Sequence, residues 1–157
     1  MNDLSHVTKD NLPTMVDVSQ KTVSQRLAIA SGEVVLGKEI MQRISKGEIS
    51  SAKGPVFQTA IIGGTQAVKK TSEMIPFCHP IFLSSIKFEI NPISDIAVKI
   101  ECRVKTEGKT GVEMEALQGV SAAALCIYDM CKAMSHDIII SKIQLEKKTG
   151  GKADFDR

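Results

Sequence analysis

The chain has no tryptophan, one tyrosine and five phenylalanines. Proteins that hold single-stranded nucleic acid stack bases on aromatic rings, and a chain this short of rings is poorly supplied for that. It also lacks an excess of either charge. Twenty Lys and Arg stand against 18 Asp and Glu, and a net charge of +2 does not mark a nucleic-acid binder. No apolar run approaches the ~20 residues that span a bilayer, so no membrane helix is expected. The four cysteines, Cys78, Cys102, Cys126 and Cys131, form no CxxC pair. Zinc needs Cys and His clustered at ligand spacing, and the single adjacency Cys78-His79 does not supply it, so no metal is expected. The first ten residues are polar, unlike a secretory leader. Free thiols in the cytoplasm are the expectation that follows. Internal repeats and linker-like stretches are absent.

What is present suits one domain with its own core: 157 residues, 43% of them hydrophobic. Residues 1–14 read as a flexible arm. Residues 16–35 contain one or more strands, and 38–46 a helix stopped by Gly47. Residues 48–55 read as a loop rich in small residues, followed by a helix from Pro55 to about Met74. Gly63-Gly64 inside that helix implies a bend or the close approach of another backbone. Alternation in Ile86/Phe88/Ile90 and in Ile96/Val98/Ile100/Cys102 marks two strands around a hairpin loop at 91–95. A glycine-bounded turn at 108–111 leads into a long apolar helix over 112–134, small at Ser121 to Ala124. A last strand over 138–145 and a polar tail over 147–157 complete the chain. The order strand, helix, helix, strand, strand, helix, strand predicts an α+β fold, a ferredoxin-like split βαβ arrangement with helices packed on an antiparallel sheet.

Few residues in this plan ask for a chemical explanation. Gly108-Lys109-Thr110-Gly111 lacks the upstream glycine of a Walker loop and reads as a turn. Glu113 and Glu115 open the long helix, where the dipole favours acids. Asp129 sits near the other end, where a negative charge is disfavoured. Lys132 is its i,i+3 neighbour, and the two are either a structural ion pair or a pair held for proton transfer. His79, bracketed by Pro76 and Pro80, is either structural or a functional group, histidine being the residue type best suited to proton exchange. Lys53 is a solvated loop lysine unless its loop meets an anion.

Several segments taken together are far more specific. Met15-Val16-Asp17-Val18-Ser19, Lys53-Gly54, Ile75-Pro76-Phe77-Cys78-His79-Pro80, the run from Gly108 to Leu117 (GKTGVEMEAL), Tyr128-Asp129-Met130-Cys131-Lys132-Ala133 and Lys148-Thr149-Gly150-Gly151-Lys152 occur in that order. Together they resemble the MoaC family of molybdenum-cofactor biosynthesis, over nearly the whole chain from Met15 to Lys152. A slight departure is Gln118-Gly119, where members often carry Thr-Ala. The resemblance implies an enzyme without a redox cofactor. Its reaction rearranges a cyclised dihydroguanosine triphosphate to cyclic pyranopterin monophosphate and releases pyrophosphate. It also implies Asp129, Lys53 and Lys132 as catalytic residues, Phe77, Cys78, His79, Glu113, Met114 and Glu115 as substrate contacts, and Arg26 as a substrate-binding arginine. Such chemistry needs several proton transfers and neutralisation of a leaving phosphate, which acids, lysines and an arginine provide.

Assembly is the last expectation. Glu115 and Asp129 are fourteen residues apart on one helix, roughly 21 Å along its axis, and differ by about 40° around it. Two such helices packed antiparallel across a two-fold would bring Glu115 of one chain near Asp129 of the other, and Lys53 is expected to close on a pocket shared with the neighbouring chain. The resemblance implies a homohexamer, a trimer of dimers with the active site at the dimer interface. Two readings from other classes stand beside the enzyme: a nucleotide-binding regulatory module and a structural oligomer subunit. The discriminating feature is whether Lys53, Lys132 and Asp129 converge.

Overall fold

A computed structural model describes residues 12–157; the arm expected at 1–14 lies largely outside the described residues. The chain begins its main sheet with β1 (Ser24–Val35). A short α1 (Lys38–Met41) and three small strands follow, β2 (Ile44–Ser45), β3 (Glu48–Ser51) and β4 (Gly54–Pro55). The helices α2 (Val56–Lys69) and α3 (Thr71–Met74) lead to the hairpin of β5 (Leu83–Pro92) and β6 (Ala97–Gly108). Then come α4 (Glu113–Cys131), β7 (Ile139–Thr149) and β8 (Phe155–Asp156).

The five-stranded sheet has the order β5-β6-β1-β7-β8, every pair antiparallel. β6 therefore lies between β1 and β5, and β1 lies between β6 and β7. The connections through α2 and through α4 each skip one strand, and the α+β class follows. Alternation decides which side α4 covers. Ala28, Ala30 and Val34 of β1 and Val98, Ile100, Cys102 and Val104 of β6 are buried against Ala116, Val120, Ala123, Ala124 and Ile127 of α4. The intervening Lys99, Glu101, Arg103 and Lys105 line the opposite face.

The paired glycines of α2 meet α4. A Cβ on Gly63 would lie 2.5 Å from the Cys126 sulfur, and one on Gly64 2.6 Å from the Phe88 ring and 3.0 Å from the Gly119 carbonyl. A Cβ on Gly119 would lie 2.5 Å from Val68. Close approach of the two helices is thus the reason for the glycines, and it centres on the position where the chain departs from the family pattern.

Several boundaries differ from expectation: β1 begins only at Ser24, and the helix expected to reach Met74 breaks after Lys69 into α2 and α3. The helix over 38–46 stops at Met41, because Ile44 and Ser45 pair with Ile49 and Glu48. Lys46 and Gly47 both have positive φ (51° and 77°), the two-residue hairpin geometry with a primed turn, so Gly47 turns a hairpin instead of ending a helix. The loop at 48–55 is itself a hairpin, Ser50 and Ser51 pairing with Pro55 and Gly54. At the other end, β7 continues into the expected polar tail: Lys147, Lys148 and Thr149 pair with Ile29, Ala28 and Leu27, and Lys147 and Lys148 pair with Asp156 and Phe155. A register shift between Ile29 and Ala30 leaves Glu146 bulged, which breaks the alternation there. Among the described residues no helix is long and apolar enough to cross a membrane.

Candidate active site

The two ends of α4 carry two separate groups of functional side chains. At its C-terminal end Lys132, Asp129 and Lys53 come together. The Lys132 ammonium lies 2.8 Å from Asp129 Oδ1 and the Lys53 ammonium 2.6 Å from Oδ2. Lys53 also donates to the Asp129 backbone carbonyl at 3.1 Å. Hydrogen bonds from Lys132 and then from Lys53 hold the Asp129 carboxyl down at about 2, and the same contact raises Lys132 above its ordinary value. All three side chains are about half exposed, so the cluster stands open to an incoming molecule.

Lys53 reaches Asp129 because of the small hairpin. The Lys53 N–H donates to Ser51 Oγ (3.1 Å), and Ser51 Oγ donates to the Gly54 carbonyl (3.1 Å), which closes a tight turn with Lys53 at its tip. Gly54 has φ 114°, a conformation that side chains disfavour. The Glu48 carboxylate fastens this hairpin to α2 by accepting the N–H groups of Phe57 (2.7 Å) and Gln58 (3.0 Å), two of the orphan donors of the first helical turn. Glu48 is a positioning residue that the sequence reading left in a loop.

At the N-terminal end of α4 the sequence-predicted contacts gather in a cavity of about 250 Å³. Phe77, Cys78, His79, Glu113, Met114 and Glu115 line it. Glu115 is 4% exposed. Burial, with a smaller contribution from the Glu113 charge, pushes its carboxyl up to about 7, against some help from its own backbone N–H. Burial and the charge of Glu115 raise the Cys78 thiol, which keeps it protonated. His79 Nε2 donates to the Val16 carbonyl at 2.8 Å. Glu113 folds back over Gly111, where a Cβ would sit 1.9 Å from the carboxylate, and pairs with Lys148 at 3.3 Å.

A second cavity, of about 560 Å³, adjoins the first through Lys21, Thr110 and Gly111, which line both. Its charged lining is entirely basic: Lys21, Arg26, Lys109 and Lys152. Arg26 is aimed by the turn at 108–111, whose Gly108 and Lys109 carbonyls accept from its guanidinium at 3.4 and 3.5 Å. The far wall is the turn after β7. There Ser24 Oγ donates to the Gly150 carbonyl (2.8 Å), and Gly150, at φ 81°, passes so near Gln25 that a Cβ would lie 1.8 Å from its carbonyl oxygen. Of the basic set only Arg26 was singled out from sequence. Lys109 and Lys152 lie inside the motifs quoted above without a role, Lys21 lies outside them, and the glycines beside the two are the signal that backbone passes close to something there.

One chain therefore unites Lys53, Asp129 and Lys132, and separately unites Arg26, Phe77, Cys78, His79, Glu113, Met114 and Glu115. It does not bring the two groups together. Lys53 and Asp129 pair within one chain, so these two residues reach one pocket from the same side of any chain boundary. Among the described residues no three His, Cys, Asp or Glu side chains gather as a metal site.

An ion-paired aspartate between two lysines, a buried carboxyl pushed up to about 7 and a basic cavity beside it define a class: an α+β protein whose groups suit proton transfer and the holding of an anion. The particular family follows from comparison. The sequence pattern of the MoaC family matches residues 15–151, and the chain belongs to that family. It is 51% identical to the molybdenum cofactor biosynthesis bifunctional protein of Synechocystis sp., over 98% of this chain and 45% of that protein. It is 48% identical to molybdenum cofactor biosynthesis protein 1 of Dictyostelium discoideum, over 97% of this chain and 27% of that protein. Identity to the cyclic pyranopterin monophosphate synthase of Xanthomonas oryzae pv. oryzae is 46%, over 97% of this chain and 92% of that protein. The chain thus spans under half of the first two relatives and nearly all of the third.

Proposed function

We propose that the chain is a cyclic pyranopterin monophosphate synthase acting in the cytoplasm. It takes a cyclised dihydroguanosine triphosphate, opens the purine five-membered ring, rebuilds it as a pyrazine and closes a cyclic phosphate. In the closing step a substrate oxygen attacks the α-phosphorus and the bond to pyrophosphate breaks. Family membership supplies this reaction. The observation that carries it in this chain is the pair of groups at the two ends of α4, each suited to one part of the chemistry.

The basic cavity suits a triphosphate. Arg26, fixed by two carbonyls, is the anion anchor, and Lys21 and Lys152 beside it offset the charge that builds on the leaving pyrophosphate. Beside it Glu115 and His79 lie where the base would sit. A carboxyl that titrates near 7 both gives and accepts protons at working pH. Lys132, paired to an aspartate that stays ionised, is assigned proton transfer with Asp129, and Lys53 supplies a further proton or phosphate contact.

These roles require both groups around one substrate, which a second copy of the chain provides. Antiparallel pairing across a two-fold sets the Asp129 end of one α4 against the Glu115 end of the other, twice per dimer. Support comes from the outer surface of the helical layer, where Ile62 of α2 is 71% exposed and Leu125 of α4 63% exposed, large apolar side chains that a partner would cover. The hexameric arrangement, three such dimers, is carried by the family resemblance alone.

The test is turnover of the cyclised nucleotide, followed by pyrophosphate release. Wild-type protein should release pyrophosphate, and Lys53→Ala, Asp129→Ala and Lys132→Ala should each abolish release with unchanged circular dichroism. Near-full release by Asp129→Ala would show that the cluster at the C-terminal end of α4 is not catalytic.

A further inference from the structure

The segment 16–22 runs across the candidate site without belonging to any strand or helix. Val16, Val18 and Lys21 line the smaller cavity, and Lys21 lines the basic one as well. Two side-chain bonds fasten its backbone to the rest of the described chain. His79 donates to the Val16 carbonyl at 2.8 Å, and the Lys109 ammonium donates to the Ser19 carbonyl at 2.6 Å. Internally, Ser19 N–H is capped by Asp17 Oδ1 (2.8 Å) and Lys21 N–H bonds the Val18 carbonyl (3.0 Å), so the segment turns as a unit around residue 19. Lys109 stands on the same turn whose carbonyls hold Arg26.

We propose that Lys109 is a positioning residue. Its ammonium latches the segment 16–22 as a strap over the site and thereby holds Lys21 at the junction of the two cavities, where Lys21 meets an anionic substrate. Loss of the latch leaves the strap fastened to the rest of the described chain only at Val16, three residues upstream of Ser19, through His79. Lys21, two residues downstream, then has no fixed point beside it before β1 begins at Ser24. The part assigned to Lys109 is this bond to the Ser19 carbonyl, which uses one of the three donors of its ammonium. The role of Lys21 rests on the reading of the basic cavity as the phosphate site, whereas the latch does not.

The experiment has two readouts. Amide hydrogen exchange on the full chain should be about fivefold or more faster at residues 17–22 in Lys109→Met than in wild type, unchanged in β1 and α4, and restored by Lys109→Arg, which can still donate to the carbonyl. In steady-state turnover of the cyclised nucleotide, Lys109→Met should raise KM about tenfold with kcat changed less than about twofold, the pattern of lost uniform binding. The double variant with Lys21→Met should be no worse than Lys21→Met alone. Unchanged exchange at 17–22 overturns the latch. Multiplying KM effects in the double variant overturn the positioning role and make Lys109 an independent ligand. If wild-type protein does not turn over the cyclised nucleotide, the functional reading fails, and the exchange measurement still decides the latch.

Discussion

A composite site makes a quantitative prediction about mixed assemblies. Glu115 and Asp129 stand near the two ends of α4, so fourteen residues at 1.5 Å each separate the two groups by about 21 Å along the helix. No side chain spans that distance, and one substrate can meet both only if they come from different chains. Consider Arg26→Ala, which damages the first group, and Asp129→Ala, which damages the second. In a mixed dimer one site receives both defects and the other receives none. Random one-to-one mixing makes half the dimers mixed, each with one intact site, so pyrophosphate release should recover to about a quarter of wild type. Lys53→Ala with Asp129→Ala behaves differently, because these residues share one group in one chain. Every site in that mixed dimer carries one defect, and no activity returns. Differently tagged chains, refolded together and purified through both tags, establish that mixed species are present. Recovery in the Lys53/Asp129 pair, or none in the Arg26/Asp129 pair, refutes the composite site.

Three further outcomes follow from the structure. The folded Glu115 holds its proton to about 7, whereas the unfolded chain loses it near 4.5, so stability falls as pH rises through that window, by about 3 kcal/mol at most. Glu115→Gln should therefore unfold in urea with wild-type stability near pH 4.5 and with greater stability at pH 8; a gap that stays constant between the two would contradict the burial account. Gly64→Ala places a methyl 2.6 Å from Phe88 and 3.0 Å from the Gly119 carbonyl, and should lower stability by about 1–3 kcal/mol in the same denaturation assay. Protein purified without chelator should carry no stoichiometric zinc by elemental analysis, because the Cys78 thiol is held protonated and His79 Nε2 is engaged with Val16.

How much of this was readable in the chain depends on the range over which each feature is encoded. The hairpin of β5 and β6 announced itself because Ile86, Phe88 and Ile90 alternate toward the core, and equally local signals of helical composition and bounding residues marked α2 and α4. The small hairpins at 44–55 did not, since strands of two to four residues hold too few turns of any period, and their fold is decided by Glu48 reaching the first turn of α2, nine and ten residues away. The end of β7 was hidden for another reason: Glu146 bulges and the following lysines are polar, so alternation fails where pairing with β1 and β8 continues. The site divides along the same line. Asp129 and Lys132 were legible as i,i+3 neighbours, but nothing local could say whether their pairing was idle, because the third member, Lys53, lies 76 positions away. What makes the pair chemically interesting is that second lysine, placed by a hairpin with no periodic signature. The resemblance reached Lys53 through the pair Lys53-Gly54, and in the structure the turn that presents the lysine has Gly54 beside it at φ 114°. A short motif such as Lys53-Gly54 is then the visible trace of a backbone constraint, and the side chain it aims can be understood only once its distant partner is in place.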